Sequence, residues 1–238
     1  MPFCPKCGIE FDGDPDFCPS CGQSLRETGR RPARGGGDAR AGDHLSLGFN
    51  IALANPMVFA PVIIGGLISS AIRVWGRQPL HQSGYVPVVF IGALISIVGS
   101  VVSFILNFAA IDMARDAYTN EPLDLGRSFS YSAGRFVTFF VASIVAGILS
   151  ITIILIPIAI LMMVIIVVDE TGIVDALGQS FAVLGRDLGD IVVILIVAII
   201  GYAVLGWVPL VGGLLTACFS LVLDLAFIDV YDRFRRNN

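Results

Sequence analysis

Charged side chains are scarce along this chain. Only 14% of its 238 residues are Asp, Glu, Lys or Arg, whereas 55% are hydrophobic, and the mean hydropathy is +0.84. A soluble domain of ordinary composition carries roughly 25% charged residues. The shortage of charge therefore excludes an ordinary soluble protein and indicates a chain that lies in a lipid bilayer.

Motifs for catalysis or energy coupling are also lacking. The sequence contains no Walker loop, nucleophile elbow, HExxH motif or dinucleotide-binding fingerprint. Its two histidines, His44 and His81, fall at opposite faces of the predicted membrane domain and complete no shared site. We therefore expect a protein that is not an enzyme. The alternative is a membrane hydrolase that acts on phospholipids, and only substrate turnover by the pure protein would support it.

Cysteine is rare but clustered. Four of the five cysteines form two CxxC pairs in the first 21 residues, Cys4 with Cys7 and Cys18 with Cys21. Two tight turns that each supply two thiolates build a tetrahedral zinc site, and four thiolates close the coordination shell against substrate. The sequence predicts a small Cys4 zinc ribbon with β-knuckles over residues 1–24, holding structural Zn²⁺. Two disulfides are the alternative in an oxidising compartment.

The predicted ribbon is acidic. Four carboxylates lie between the cysteine pairs, with a single lysine, Lys6, nearby; they are Glu10, Asp12, Asp14 and Asp16. This charge repels phosphate and argues against nucleic-acid binding. We expect the ribbon to bind a protein partner instead, with Phe11 or Phe17 as candidate contact residues unless they pack over the zinc knuckles.

An Arg- and Gly-rich stretch over residues 25–44 separates the ribbon from the first apolar run. It has few apolar side chains to bury, so we expect a flexible linker whose arginines can contact anionic lipid headgroups. Because the apolar sequence begins only after this stretch, we expect no secretory signal peptide and a cytoplasmic N-terminus.

Four apolar runs without charged residues follow, each longer than the roughly 20 residues that span a bilayer. They are Leu45–Ile72, Gln78–Ile111, Phe136–Val168 and Ile191–Leu223. Pro157 interrupts the third run and Gly206 to Pro209 the fourth, so we expect each to fold as a hairpin. The sequence predicts an all-α polytopic membrane domain over residues 45–236, with six transmembrane helices as three helical hairpins. The predicted helices are 49–75, 86–115, 133–154, 156–170, 188–206 and 209–232; four spans are the alternative.

Two short patterns recur three times. The first is a Leu-Gly pair followed by Phe, at Leu47-Gly48-Phe49, Leu125-Gly126-Arg127-Ser128-Phe129 and Leu177-Gly178-Gln179-Ser180-Phe181. The second runs apolar residues into an aspartate, at Ala110-Ile111-Asp112, Val167-Val168-Asp169 and Phe227-Ile228-Asp229. Recurrence at similar spacing predicts that the three hairpins derive from one repeated unit.

Arginines set the predicted orientation. In the six-helix arrangement twelve arginines fall on one side of the membrane and only Arg73 and Arg77 on the other. The twelve are Arg26, Arg30, Arg31, Arg34, Arg40, Arg115, Arg127, Arg135, Arg186, Arg233, Arg235 and Arg236. Because basic residues concentrate in cytoplasmic segments, we expect both termini in the cytoplasm. The segment Asp169 to Asp190 is cytoplasmic with six spans and external with four.

Carboxylates within membrane segments are costly and often functional. The polar candidates are Asn107, Asp112, Asp169, Glu170, Asp224 and Asp229. Most fall at cytoplasmic helix ends, where water or Arg115, Arg186 and Arg233 can satisfy them. Asp224 lies deeper than the others and is the best candidate for a proton or ion site; an interhelical hydrogen bond or ion pair is the structural alternative.

One stretch resembles a known family. Residues Ile156-Pro157 to Val168-Asp169-Glu170, followed by Asp175 to Leu184, resemble prokaryotic membrane proteins related to the membrane domain of glycerophosphoryl diester phosphodiesterase. The resemblance implies a six-helix fold without an established activity, and the catalytic phosphodiesterase domain of some relatives is lacking. Residues 1–24 are similar to zinc-ribbon heads of prokaryotic membrane proteins.

These observations favour a non-enzymatic integral membrane adaptor, scaffold or sensor with a cytoplasmic zinc-ribbon head. The alternative is a small transporter, channel or lipid-handling protein in which Asp224 and the other carboxylates line a polar path. Small residues such as Gly65, Gly66 and Gly99 allow helices to approach closely in lipid, which also permits a homo-oligomer.

Overall fold

The computed structural model divides the chain into two units, residues 1–39 and 40–238. It describes residues 40–77, 86–152, 155–208 and 212–236. The four predicted zinc ligands, His81 and most of the predicted linker lie outside the described residues. Within these ranges the regular structure is helical throughout, which confirms the all-α prediction for the membrane domain.

Eight α-helices form the described part of the chain. They are α1 (Ala41–Ala54), α2 (Ala60–Arg77), α3 (Val86–Thr119), α4 (Leu125–Gly134), α5 (Phe136–Leu149), α6 (Ile156–Val168), α7 (Ile173–Gly206) and α8 (Gly212–Arg236), with a 3₁₀ turn at Pro56–Phe59.

A break between two consecutive helical segments occurs three times. Asn55 separates α1 from the 3₁₀ turn and α2, with a bend of 95°, and Arg135 separates α4 from α5, with a bend of 75°. In α7, Asp187 has non-helical backbone angles (φ −113°, ψ 33°) and divides the helix in two. Each preceding segment carries one copy of the Leu-Gly motif, so the order of elements follows the predicted repeat.

The core of the helical body consists of α3, α6 and α8, which pack against one another. Their buried side chains include nearly all of α6 between Pro157 and Val167. The apolar helices α2, α5 and the second part of α7 each come directly before one of these central helices in the order of described elements. The helices that carry the Leu-Gly motifs also pack on the central helices: α4 packs on α3, α7 on α6, and α1 on α8. The first helix therefore closes the arrangement against the last.

The outer helices expose large apolar side chains. Leu67 of α2 is 65% exposed, Val137 of α5 is 72% exposed and Ile200 of α7 is 58% exposed. Many exposed apolar side chains of this size are unfavourable in water and suit contact with lipid. Among the described residues, three helical segments are long and apolar enough to cross a membrane, Gly92–Thr119, Ile173–Gly206 and Gly212–Arg236. The number rises to five if each of the two bent pairs forms one span. The structure thus supports a multi-pass membrane protein.

Several boundaries differ from those predicted. The predicted helix 133–154 crosses the break at Arg135 and ends at Leu149, and the predicted helices 86–115 and 209–232 extend to Thr119 and Arg236. The predicted helix 49–75 is not continuous, because Pro56 disfavours helical geometry at Asn55. The predicted linker 25–44 ends earlier, since α1 already begins at Ala41. The side chain of Asp43 caps the start of α1, because its Oδ2 atom accepts a hydrogen bond from the backbone N–H of Arg40 at 2.9 Å. The predicted helix 188–206 matches the second part of α7.

Gly48 allows α1 to approach α8 closely. A Cβ atom at this position would lie 2.8 Å from the carbonyl oxygen of Val222 and 3.2 Å from the backbone nitrogen of Ala226. Both atoms belong to the backbone of α8 and cannot move aside as a flexible side chain could. Gly178 occupies the same motif position in α7, and a Cβ atom there would meet nothing within 4 Å.

We predict that Gly48→Ala lowers the free energy of unfolding by about 1–3 kcal/mol, because the added methyl forces α1 away from α8. The matched change Gly178→Ala should leave stability unchanged or raise it slightly, since alanine favours a helix over glycine. Thermal unfolding of both variants in the same detergent measures the difference. Equal effects of the two changes would contradict the close packing of α1 on α8.

Candidate functional site

Carboxylates gather where α3, α6 and α8 end on the same side of the body. We call this region the aspartate end; its carboxylates are Asp112, Asp116, Asp169, Asp229 and Asp232. The ion pairs found among the described residues join side chains at this end. A polar end on an otherwise apolar bundle is the pattern expected where helices leave the hydrocarbon layer.

Asp229 has no solvent exposure, as is also true of Asp116. His44 of α1 donates from Nδ1 to its Oδ2 at 2.7 Å, and Arg233 donates from Nε to the same oxygen at 3.0 Å. The hydroxyl of Tyr118 lies 2.7 Å from Oδ1 of Asp229 and 2.9 Å from Oδ2 of Asp232. Hydrogen bonds to an ionised carboxylate are the stronger kind. They join α1, α3 and α8 through one side chain.

Asp169 makes the corresponding connection between α6, α7 and α8. Arg235 donates from Nη1 to Oδ1 of Asp169 at 2.8 Å. The hydroxyl of Tyr231 contacts both the other carboxylate oxygen of Asp169 and the amide oxygen of Gln179. Gln179 belongs to the third Leu-Gly motif, so the aspartate of the second hairpin is connected to the motif of the third.

The aspartates of α3 are connected to α4. The Nη2 atom of Arg115 lies 2.9 Å from Oδ1 of Asp112 and 3.3 Å from Oδ1 of Asp116. Arg127, within the second Leu-Gly motif, pairs with the other oxygen of Asp116. Arg127 of the second Leu-Gly motif therefore connects α4 to α3 through Asp116, and the Tyr231 hydroxyl connects Asp169 with Gln179 of the third motif.

Two arginines satisfy the buried end of α6. The last carbonyls of a helix have no partners within it and need donors from elsewhere. Arg115 donates to the carbonyl of Val167 at 3.2 Å, and Arg135 donates to those of Ile166, Glu170 and Thr171 at 3.4, 3.0 and 3.3 Å. A short helix enclosed by the bundle is held at its end by these cations.

The predicted polar residues therefore divide into two groups. Asp112, Asp169 and Asp229 lie together in the network of the aspartate end, and two of the expected partners, Arg115 and Arg233, pair with Asp112 and Asp229. Arg235 pairs with Asp169, and the guanidinium carbon of Arg186, the third expected partner, lies 5.9 Å from the ring centroid of Phe234.

Asp224 stands apart from the network, in a cavity of about 320 Å³ between α2, α3, α7 and α8. The polar residues that line this cavity are Asn107, Tyr202, Thr216, Ser220 and Asp224. Among the described residues, Asp224 has no hydrogen-bond or ion-pair partner, in contrast to Asp112, Asp169 and Asp229. The described residues that line the cavity include no Lys, Arg or His.

Sequence reasoning missed His44, Tyr118 and Tyr231 as members of the network. Nothing near them in the sequence shows that α3 and α8 pack side by side, so no local signal could have found the two tyrosines. The cavity did leave a signal, because Thr216, Ser220 and Asp224 recur at four-residue intervals and share one face of α8.

Metal binding can be assessed only where side chains are described. In those ranges no group of three or more His, Cys, Asp or Glu residues is placed to hold a metal ion. Cys4, Cys7, Cys18 and Cys21 lie elsewhere in the chain, so the zinc site stays a prediction from the sequence.

Comparison with known proteins finds no matching family model, no matching curated protein and no matching solved structure. The resemblance to the phosphodiesterase-related membrane domain therefore stays a prediction that rests on residues 156–184.

We predict that Asp229→Asn lowers the free energy of unfolding by on the order of 3 kcal/mol, because it leaves buried donors of His44, Tyr118 and Arg233 without their anionic acceptor. The control is Asp175→Asn, the same chemical change at an exposed position of α7, which should shift stability by less than about 0.5 kcal/mol. Thermal unfolding in detergent measures both. A loss no larger than that of the control would show that the network contributes little to the fold.

Proposed function

We propose that this protein is an integral membrane adaptor with a cytoplasmic zinc-ribbon head that recruits a protein partner. The helical body anchors the head, and both termini face the cytoplasm. The observation that carries this proposal is the docking of the first turn of α1, the segment that follows the head in the chain, onto the body at the aspartate end.

Two contacts fix that first turn. The backbone N–H of Ala41 donates to Oδ1 of Asp190 at 2.8 Å, and His44 donates to Asp229 at 2.7 Å. Both acceptors belong to the long helices α7 and α8. Because the start of α1 is hydrogen-bonded to two membrane helices, a head attached just before α1 would be held close to the membrane domain.

The orientation proposal is supported by where the arginines lie. Arg115, Arg127, Arg135, Arg233 and Arg235 all contribute to the aspartate end. Basic residues concentrate on the cytoplasmic side of membrane proteins, so we assign the aspartate end to that side. The start of α1 and the end of α8 then share it.

Six membrane-embedded helices in three hairpins agree best with the repeated order of elements. The middle hairpin is shorter than the others, with 14 residues in α5 and 13 in α6, or about 20 Å each. The hydrocarbon core is about 30 Å thick, so this hairpin enters it part way or thins it locally. Either arrangement returns the chain to the cytoplasmic side before α7.

The head supplies the recruiting surface in this proposal. Four carboxylates between the cysteine pairs favour a basic protein partner, and Zn²⁺ bound by Cys4, Cys7, Cys18 and Cys21 would fold a segment too short to build its own core. The body then concentrates the captured partner at the membrane surface.

We predict that a thiol reagent that cannot cross membranes labels Val174→Cys in inside-out vesicles and Trp207→Cys in right-side-out vesicles. These positions are 82% and 87% exposed and lie on opposite sides in the six-helix arrangement. Both changes are made in a variant whose five native cysteines are replaced by serine. Labelling of Val174→Cys in right-side-out vesicles would favour four spans and contradict the proposed orientation.

Cross-linking and co-purification from native membranes test the adaptor role. We predict that the wild type captures a specific partner and contains about one zinc per chain, and that Cys4→Ser/Cys7→Ser loses both while inserting normally. The matched control is Cys218→Ser, which removes a half-buried thiol of α8 and should retain both partner and zinc. If the double variant keeps the same partners as the wild type, the head does not recruit them.

A further inference from the structure

We propose that the cavity around Asp224 binds a small organic ammonium ion. This site belongs to the helical body, and the inference holds whether or not the zinc-ribbon head recruits a partner. It follows from the position of Asp224, the chemistry of the cavity wall and the size of the cavity.

Asp224 lies deeper in the bundle than the aspartate end. It precedes Asp229 by five residues of α8, or about 7.5 Å along the helix axis. A carboxylate at this depth is costly unless something compensates it. The described aspartates near the helix ends have arginine partners, Asp112 with Arg115, Asp169 with Arg235 and Asp229 with Arg233. Asp224 instead faces an open volume.

The wall of the cavity favours a cation that donates hydrogen bonds. Asn107, Thr216 and Ser220 supply amide and hydroxyl oxygens as acceptors, and Tyr202 lies beside Ser220 and Asp224. A phenol ring adds favourable contact with a cation over its face. The Asp224 carboxylate would repel an anion, and the described residues of the cavity wall include no lysine, arginine or histidine to attract one.

The size of the cavity distinguishes among cations. About 320 Å³ is far more than a bare metal ion fills, and a metal ion would need several oxygens closing around it at about 2.3–2.6 Å. The volume instead falls at the lower end of the range for small-molecule sites. Apolar lining by Val62, Ala110 and Leu221 suits a short hydrocarbon chain attached to the ammonium group.

Calorimetric titration of the full-length protein in dodecyl maltoside tests this proposal, with n-butylammonium chloride as probe and potassium chloride at equal ionic strength as reference. We expect saturable binding of n-butylammonium to the wild type, and about tenfold or greater weakening in Asp224→Asn. The control Asp175→Asn, at an exposed position outside the cavity, should bind as the wild type does.

Asp224→Asn preserves the shape of the side chain, and gel filtration checks that each variant stays folded. Ser220→Ala provides a second, milder change that removes one acceptor from the wall and should weaken binding several-fold. Absence of saturable binding by the wild type would overturn the proposal, as would unchanged binding by Asp224→Asn. Competition by potassium at equal concentration would also overturn it, because a site that selects charge alone is not an organic ammonium site.

Discussion

The buried hydrogen bond between His44 and Asp229 joins the first helix of the body to the last. Without it, α1 would lose a buried polar contact with α8. The same carboxylate also receives Tyr118 and Arg233, so α3 and α8 are positioned through one group. A fully buried anion with several donors cannot shift without leaving some of them unpaired.

This dependence on polar contacts follows from the solvent. In a bilayer, the exposed apolar side chains of α2, α5 and α7 gain little from moving against other helices, because lipid is equally apolar. Cohesion then comes from close packing and interhelical hydrogen bonds. Gly48 allows backbone contact between α1 and α8, and deeper in the body Ser69 donates to Ser103 at 3.2 Å between α2 and α3. The aspartate end supplies the strongest set of such bonds, where water and arginines are both available.

Sequence reasoning predicted the features that a short stretch determines. Pro157 marks the start of α6 and Gly206 marks the end of α7. The derivation of the three hairpins from one repeated unit stays a prediction. The break at Asn55 could also have been found, since Asn55-Pro56 disfavours a continuous helix. The first turn of α1 could not, because Ala41 to His44 has the composition of a linker and becomes helical through contacts with Asp190 and Asp229.

In the candidate sites, too, single residues could be predicted from the sequence, whereas their partners from distant parts of the chain could not. Asp224 stood out in the sequence as a carboxylate within an apolar run, but its cavity depends on side chains from four helices, and Asn107 and Tyr202 are far from it in the chain. Pairing of Asp169 with Arg235 depends likewise on the position of α8 beside α6.

A double-mutant cycle between His44→Ala and Asp229→Asn tests most directly whether the first and last helices are joined through this contact. The free energy of unfolding is measured for the wild type, both single variants and the double variant in one detergent. The account predicts a coupling energy of about 1 kcal/mol or more, as for residues in direct contact. Effects that add within about 0.3 kcal/mol would contradict it, because they would show that the two side chains act independently.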